Sequence, residues 1–147
     1  EGVGMKRALV VGGFGVMAVA GIAGCAAGAA ARVDSVTCVS WAAFESEESR
    51  IEAADLVVDV DAVQPDGTSD VYGYAANAYR LSGVSMIKGD LTDIRDLRVA
   101  STADNCASPA YANGDPMLQK GPLRLYLSFD SGQWITLSPF DGVRPAP

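Results

Sequence analysis

Histidine is absent from all 147 residues. Its absence removes the commonest general base, the commonest metal ligand and the one side chain that titrates near neutrality when unperturbed. Serine or cysteine hydrolases that depend on histidine are excluded, as are mixed Cys/His zinc sites. Cysteine is scarce, with only Cys25, Cys38 and Cys106, so the chain is no disulfide-dense scaffold. Positive charge is short as well: 11 Lys and Arg against 18 Asp and Glu give a formal charge of −7. The basic residues are scattered singly, which leaves no electrostatic route to nucleic acid. The apolar run from Ala8 to Ile22 falls below the roughly 20 strongly apolar residues that a membrane span prefers. From this inventory we expect no metal and no cofactor.

What is present is organised around Met5 to Cys25, MKRALVVGGFGVMAVAGIAGC. Lys6 and Arg7 precede the uncharged run, and the run ends in small residues before a cysteine, the layout of a secretory signal. Ile22-Ala23-Gly24-Cys25 resembles the bacterial lipobox, an aliphatic residue and two small ones ahead of the cysteine that becomes the lipid carrier. The resemblance implies that residues 1–24 are a lipoprotein signal and that Cys25 is the lipidation site. An ordinary cut among Ala26 to Ala31, or an uncleaved anchor, is the alternative. Glu1 to Gly4 precede a start at Met5 and are set aside. Two or more acyl chains hold a protein stably where one is marginal, so the expected location is the cell membrane, lipid-anchored, on its extracytoplasmic face. The Ala/Gly-rich stretch up to Arg32 reads as a tether over residues 25–32, with a single folded domain over 33–147.

With Cys25 so assigned, Cys38 and Cys106 form an even pair in an oxidising compartment, and a disulfide between them is expected. It would close a loop of roughly 67 intervening residues, and longer loops gain more from closure in the chain-entropy model. Two free buried thiols are the alternative. A catalytic thiol is disfavoured, because no His or run of Lys is present to lower its pKa.

Ser46 and Ser49 are both N-cap candidates, and Ser49 with Glu52 has capping-box spacing, so a short helix is expected through Arg50 to Ala54. Trp41, Phe44, Ile51 and Ala54 would be its apolar contacts. From Leu56 the period becomes two: Leu56, Val58, Val60 and Ala62 on one face, Val57, Asp59, Asp61 and Val63 on the other. Pro65-Asp66-Gly67 should stop this strand. Val71 to Lys88, with internal Gly73 and Gly83, reads as one long coiled strand or two in succession. Leu97 to Ser101 is a short strand, and residues 108–122 are an irregular loop. Leu123 to Phe129 and Trp134 to Leu137 form a hairpin about Asp130-Ser131-Gly132, and Ser138 to Pro147 is extended or frayed.

Two constellations invite chemistry. Asp59, Asp61, Asp66 and Asp70 suggest calcium, but an EF-hand loop needs an oxygen ligand and then Gly where this chain has Val63 and Gln64. Solvated carboxylates are the better reading. Ser85-Met86-Ile87-Lys88 has the S-x-x-K spacing of penicillin-binding enzymes, yet on a strand that offset sends Ser85 and Lys88 to opposite faces, and K-T-G and S-D-N are missing.

The tally is five strands, one short helix near the N-terminal side, and glycine bends of the kind that close small barrels. The succession A-A-D-L-V-V at Ala53 to Val58, M-I-K-G-D at Met86 to Asp90, Cys106, and K-G-P-L-R-L-Y-L-S-F at Lys120 to Phe129 resembles small secreted bacterial domains with a partly open OB-like barrel. These are similar in outline to the netrin and tissue-inhibitor-of-metalloproteinase class. The resemblance implies a mainly β fold, with Tyr72, Tyr74, Tyr79 or Tyr126 lining a ligand-binding face. Inhibitors of that class chelate zinc with a free N-terminal cysteine amine, which lipidation of Cys25 would occupy. The functional expectation is a lipid-anchored, non-enzymatic binding or envelope-interaction module. A carboxylate-dependent hydrolase using Glu45, Glu47, Glu48, Asp59 and Asp61, or a protease-inhibitor-like domain, is the alternative.

Overall fold

The computed structural model describes residues 38–147; the signal at 1–24, Cys25 and the tether at 25–32 lie outside the described residues. Among the described residues the fold is mainly β, an open sheet with one α-helix, but it has eight strands rather than five. They are β1 (Leu56–Val60), β2 (Ala62–Val71), β3 (Tyr74–Ser82), β4 (Ser85–Lys88), β5 (Arg98–Ala100), β6 (Leu123–Asp130), β7 (Gln133–Thr136) and β8 (Val143–Pro145). The sheet runs β2-β3-β5-β7-β6-β1-β4, and β8 pairs with β6 beside β7. Among the described residues only the β5–β7 pairing is parallel.

The extra strands have physical causes. The strand expected over 56–63 is divided at Asp61, whose N–H turns to the Ser82 carbonyl at 3.1 Å. Pro65-Asp66-Gly67 does not stop β2. The strand absorbs it as a register shift between Pro65 and Thr68, with Gly67 at φ +77°. This is tolerated because β2 is an edge strand, where a proline deletes no ladder bond on its open side. Arg98 secures the irregularity by donating to the Asp66 carboxylate (2.8 Å) and to the Asp66 and Thr68 carbonyls. The segment from Val71 to Lys88 contributes the end of β2, then β3 and β4. Tyr72 and Gly73, both at positive φ, make the tight β2–β3 turn. Gly83 (φ +63°) makes the next bend, where an added Cβ would strike Asp61. The C-terminal segment is not frayed: β8 joins β6 antiparallel, with Leu125 opposite Val143.

The expected alternation is visible in the packing. Leu56, Val58 and Val60 of β1 and Leu123, Leu125 and Leu127 of β6 meet Tyr79, Leu81, Val99 and Met117 in the main core. On the reverse face, Val57 and Tyr126 pack with Ala54, Ile51 and Leu137 under the helix α1 (Glu47–Ala53). The helix begins a turn earlier than its expected position. Ser46 is its N-cap, and Ser49 is the reciprocal partner: Ser49 N–H donates to Ser46 Oγ (3.1 Å) and Ser46 N–H to Ser49 Oγ (3.2 Å). Two serines thus make the box expected of Ser49 and Glu52. At the other end, Lys88 Nζ donates to the carbonyls of Ile51, Glu52 and Ala54, as a cation at a helix C-terminus should.

The irregular segment before β6 is held by buried polar bonds. Asp115 accepts from Tyr79 Oη (2.7 Å), Ser101 Oγ (2.7 Å), Asn77 Nδ2 (2.8 Å) and the Met117 N–H. Tyr111 Oη donates to the Ser101 carbonyl and accepts from the Asn77 N–H. No helix among the described residues is long and apolar enough to cross a membrane.

Candidate functional site

The reverse face of β1, β6 and β8 carries a row of charge. Asp59 on β1 is in register with Arg124 on β6, and Arg124 is in turn in register with Arg144 on β8. Strand alternation explains their common face: they lie between the apolar residues that build the main core. Arg124 grips Asp59 with two parallel bonds, Nε to Oδ1 at 2.7 Å and Nη2 to Oδ2 at 2.9 Å, and reaches Glu47 Oε1 with Nη1 at 2.6 Å. The Arg124 hydrogen bond holds the Asp59 carboxyl below its usual range. The same acidic partners push the Arg124 guanidinium further up.

A third arginine arrives from α1. Arg50 lies over the Tyr126 ring at 5.4 Å, a cation–π arrangement, and donates from Nη1 to the Phe44 carbonyl at 3.3 Å. Asp141 reaches both remaining guanidiniums, lying 3.7 Å from Arg50 Nη1 and hydrogen-bonded to Arg144 Nη2. It is placed by a short excursion between β7 and β8. Tyr126 binds Leu137 and Gly142 through its backbone, so residues 138–141 are pushed out as a turn, capped by Ser138 Oγ accepting from the Asp141 N–H. The result is a cleft of about 410 Å³ lined by Glu47, Arg50, Arg124, Tyr126, Arg144, Pro145 and Pro147. Arg50 Nε is buried there and finds no acceptor among the described residues.

The four tyrosines expected to share a ligand face are dispersed. Tyr126 is buried, forms the floor of this cleft and donates to Glu47 at 3.3 Å. Tyr79 belongs to the Asp115 network, and burial followed by that hydrogen bond pushes its phenol well up. Tyr74 is half-buried, and its oxygen accepts the Ala103 N–H. Tyr72 is exposed at the β2–β3 turn beside Trp41, with ring centroids 6.0 Å apart.

Nor do the four aspartates gather. Asp59 serves Arg124, Asp66 serves Arg98 and Arg80, Asp70 accepts the Gly73 N–H, and Asp61 packs on Gly83. Among the described residues no three acidic, His or Cys side chains are grouped as a metal would require. Of the hydrolase carboxylates, Glu47 and Asp59 converge on one arginine, whereas Glu45 is exposed and Glu48 bonds locally to Ser46.

Cys38 and Cys106 are exposed thiols and are not joined. They are nevertheless neighbours: the Val39 N–H donates to Asn105 Oδ1 at 3.0 Å, and a hydrogen bond with Cys38 is the main influence pushing the Cys106 thiol up to about 11. A smaller apolar cleft of about 90 Å³ lies along the loop expected at 108–122, between Tyr111, Ala112, Pro116 and Phe140.

Arg50, Arg124, Arg144 and Asp141 were not singled out by the sequence. Arg124 had a readable signal, a charge between Leu123 and Leu125 in an alternating strand; the other three are brought in by a helix, a turn and a terminal strand. No family model, no curated protein and no solved structure matches this chain.

Proposed function

We propose that this chain is a non-enzymatic binding module, lipid-anchored through Cys25 on the extracytoplasmic face of a membrane, with the arginine cleft as its receiving surface. The observation that carries the binding half is the convergence of Arg50, Arg124 and Arg144 on one concave surface above Tyr126. The lipobox-like Ile22-Ala23-Gly24-Cys25 supports the anchoring half. An open, mainly β sheet with a single small helix is the coarse form that an OB-like barrel refines.

The cleft's carboxylates favour binding over hydrolysis. A general acid needs a raised pKa, whereas Asp59 is held low and Glu47 shares its arginine. In the oxidising compartment that this reading implies, the adjacent Cys38 and Cys106 close into a disulfide. Two thiols lose two protons and two electrons to the disulfide of a thiol-oxidising partner.

Mass spectrometry of the mature N-terminus, after expression in a bacterium, tests the anchor. A diacylglyceryl-modified Cys25 and release of Cys25→Ala from the membrane fraction are the expected results. An unmodified thiol at Cys25, or unchanged membrane retention of the variant, overturns the anchoring.

A further inference from the structure

We infer that the cleft between Arg50 and Arg144 binds a ligand carrying a single carboxylate on a small apolar or aromatic body. The inference deepens the binding-module reading and rests on its choice of receiving surface.

The first ground is the disposition of charge. In a chain of net charge −7, three guanidiniums line one cleft, and two of them, Arg124 and Arg144, are direct cross-strand partners. Like charges in that position destabilise a strand pair; Asp59, Glu47 and Asp141 offset the pair from its outer sides, and an anion in the cleft would lie against it directly.

The second ground is the accounting of donors. Arg124 is fully occupied by Asp59 and Glu47. Among the described residues, Arg144 gives one hydrogen bond, to Asp141, and Arg50 gives one, to Phe44, while Arg50 Nε has no acceptor. A guanidinium has five donors in a planar fork. Spare capacity open to a ligand therefore belongs chiefly to Arg144, 42% exposed, and to the small exposed part of Arg50, Arg50 Nε being itself buried; both guanidiniums flank the same carboxylate, Asp141.

The third ground selects the anion. Glu47, Asp59 and Asp141 already balance the three arginines formally, so each added negative charge works against a site near neutrality inside an acidic protein. One charge is tolerable where two or three are not, which favours a carboxylate over a phosphate. The planar, two-oxygen shape of a carboxylate also matches a guanidinium edge. Pro145 and Pro147, both exposed, offer apolar surface for the rest of the ligand, and about 410 Å³ lies within the range of small-molecule sites.

Calorimetric titration and thermal unfolding of the full chain with benzoate, benzyl alcohol and inorganic phosphate test this. Benzoate should bind saturably and raise Tm, benzyl alcohol should do neither, and phosphate should bind more weakly than benzoate. Arg144→Gln should weaken benzoate about ten-fold; its side chain is 42% exposed, so the core is left intact. Arg50→Gln should do the same if it folds. No binding of benzoate, equal binding by Arg144→Gln, or tighter binding of phosphate each overturns the inference. Lipidation of Cys25 is scored independently, so failure here with a modified Cys25 rejects the carboxylate and leaves the anchored module standing.

Discussion

Arg124 and Arg144 face one another as direct partners of β6 and β8, and each is restrained by an aspartate on its far side, Asp59 and Asp141 respectively. The face thus places two basic side chains between two acidic ones across three strands and a turn. Its parts should fail in different ways when removed.

Asp59→Asn removes the bidentate partner of a mostly buried arginine and should cost about 1.5–3 kcal/mol at neutral pH, the worth of hydrogen bonds to a charged group. The pH dependence has a definite sign. Because Arg124 depresses the folded-state pKa of Asp59, its contribution is complete above the unfolded value near about 4 and is lost as pH falls through the lower folded value. Urea unfolding at neutral and acidic pH should show the gap between wild type and Asp59→Asn closing in acid. A gap of constant size would refute the linkage.

Tyr79→Phe leaves Asp115 one donor short in a buried network and should destabilise by about 1–3 kcal/mol. Ultraviolet titration offers a second readout. Burial pushes Tyr111 up to about 12, and burial with the Asp115 bond raises Tyr79 further. For these phenols the folded state holds its proton more tightly, so their contribution is full below about pH 10 and is lost as pH rises beyond it. Tyr79 and Tyr111 should therefore ionise last, together with alkaline unfolding; ordinary titration of all five tyrosines would contradict the network.

Gly142→Ala tests the turn that delivers Asp141. A Cβ there would lie 2.7 Å from the Ser138 carbonyl oxygen and 2.8 Å from Thr136 Cβ, both fixed by the fold. Overpacking of this kind costs about 1–3 kcal/mol, and displacement of Asp141 should weaken benzoate as well. A variant of unchanged Tm and affinity would show that the turn is slack.

A thiol count under denaturing, non-reducing conditions, on protein exported by a bacterium, should find Cys38 and Cys106 blocked, and Cys38→Ser should lower Tm. In the reduced form, a Cys106 thiol near 11 should alkylate slowly at neutral pH and faster as pH rises. Two free thiols in exported protein would reject the bridge.

Much of the fold was legible because β periodicity survives locally. Leu56 to Val60 and Leu123 to Leu127 keep a period of two, and both became strands with the expected inward faces, whereas Phe129, expected on the same face, is exposed. Pro65-Asp66-Gly67 misled because a stop signal assumes a local ladder, whereas Arg98, distant in sequence, supplies bonds that carry β2 through. The C-terminal strand was hidden because Val143 to Pro145 is short and proline-flanked, and its pairing with β6 is a tertiary choice. The cleft was the least legible part, since register and turn geometry alone bring Arg50, Asp141 and Arg144 together. The tyrosines showed the converse: grouped as a candidate face by their chemistry, they were dispersed by strand alternation.

On the proposed anchoring through Cys25, the bond from Val39 to Asn105 acquires a mechanical meaning. Tension along the chain would meet this clip, and the Cys38 and Cys106 thiols beside it, before it reached Phe44 and α1. Once closed, the proposed Cys38–Cys106 bridge would shunt that load into the segment after β5, leaving Arg50 and the helix that carries it unstressed.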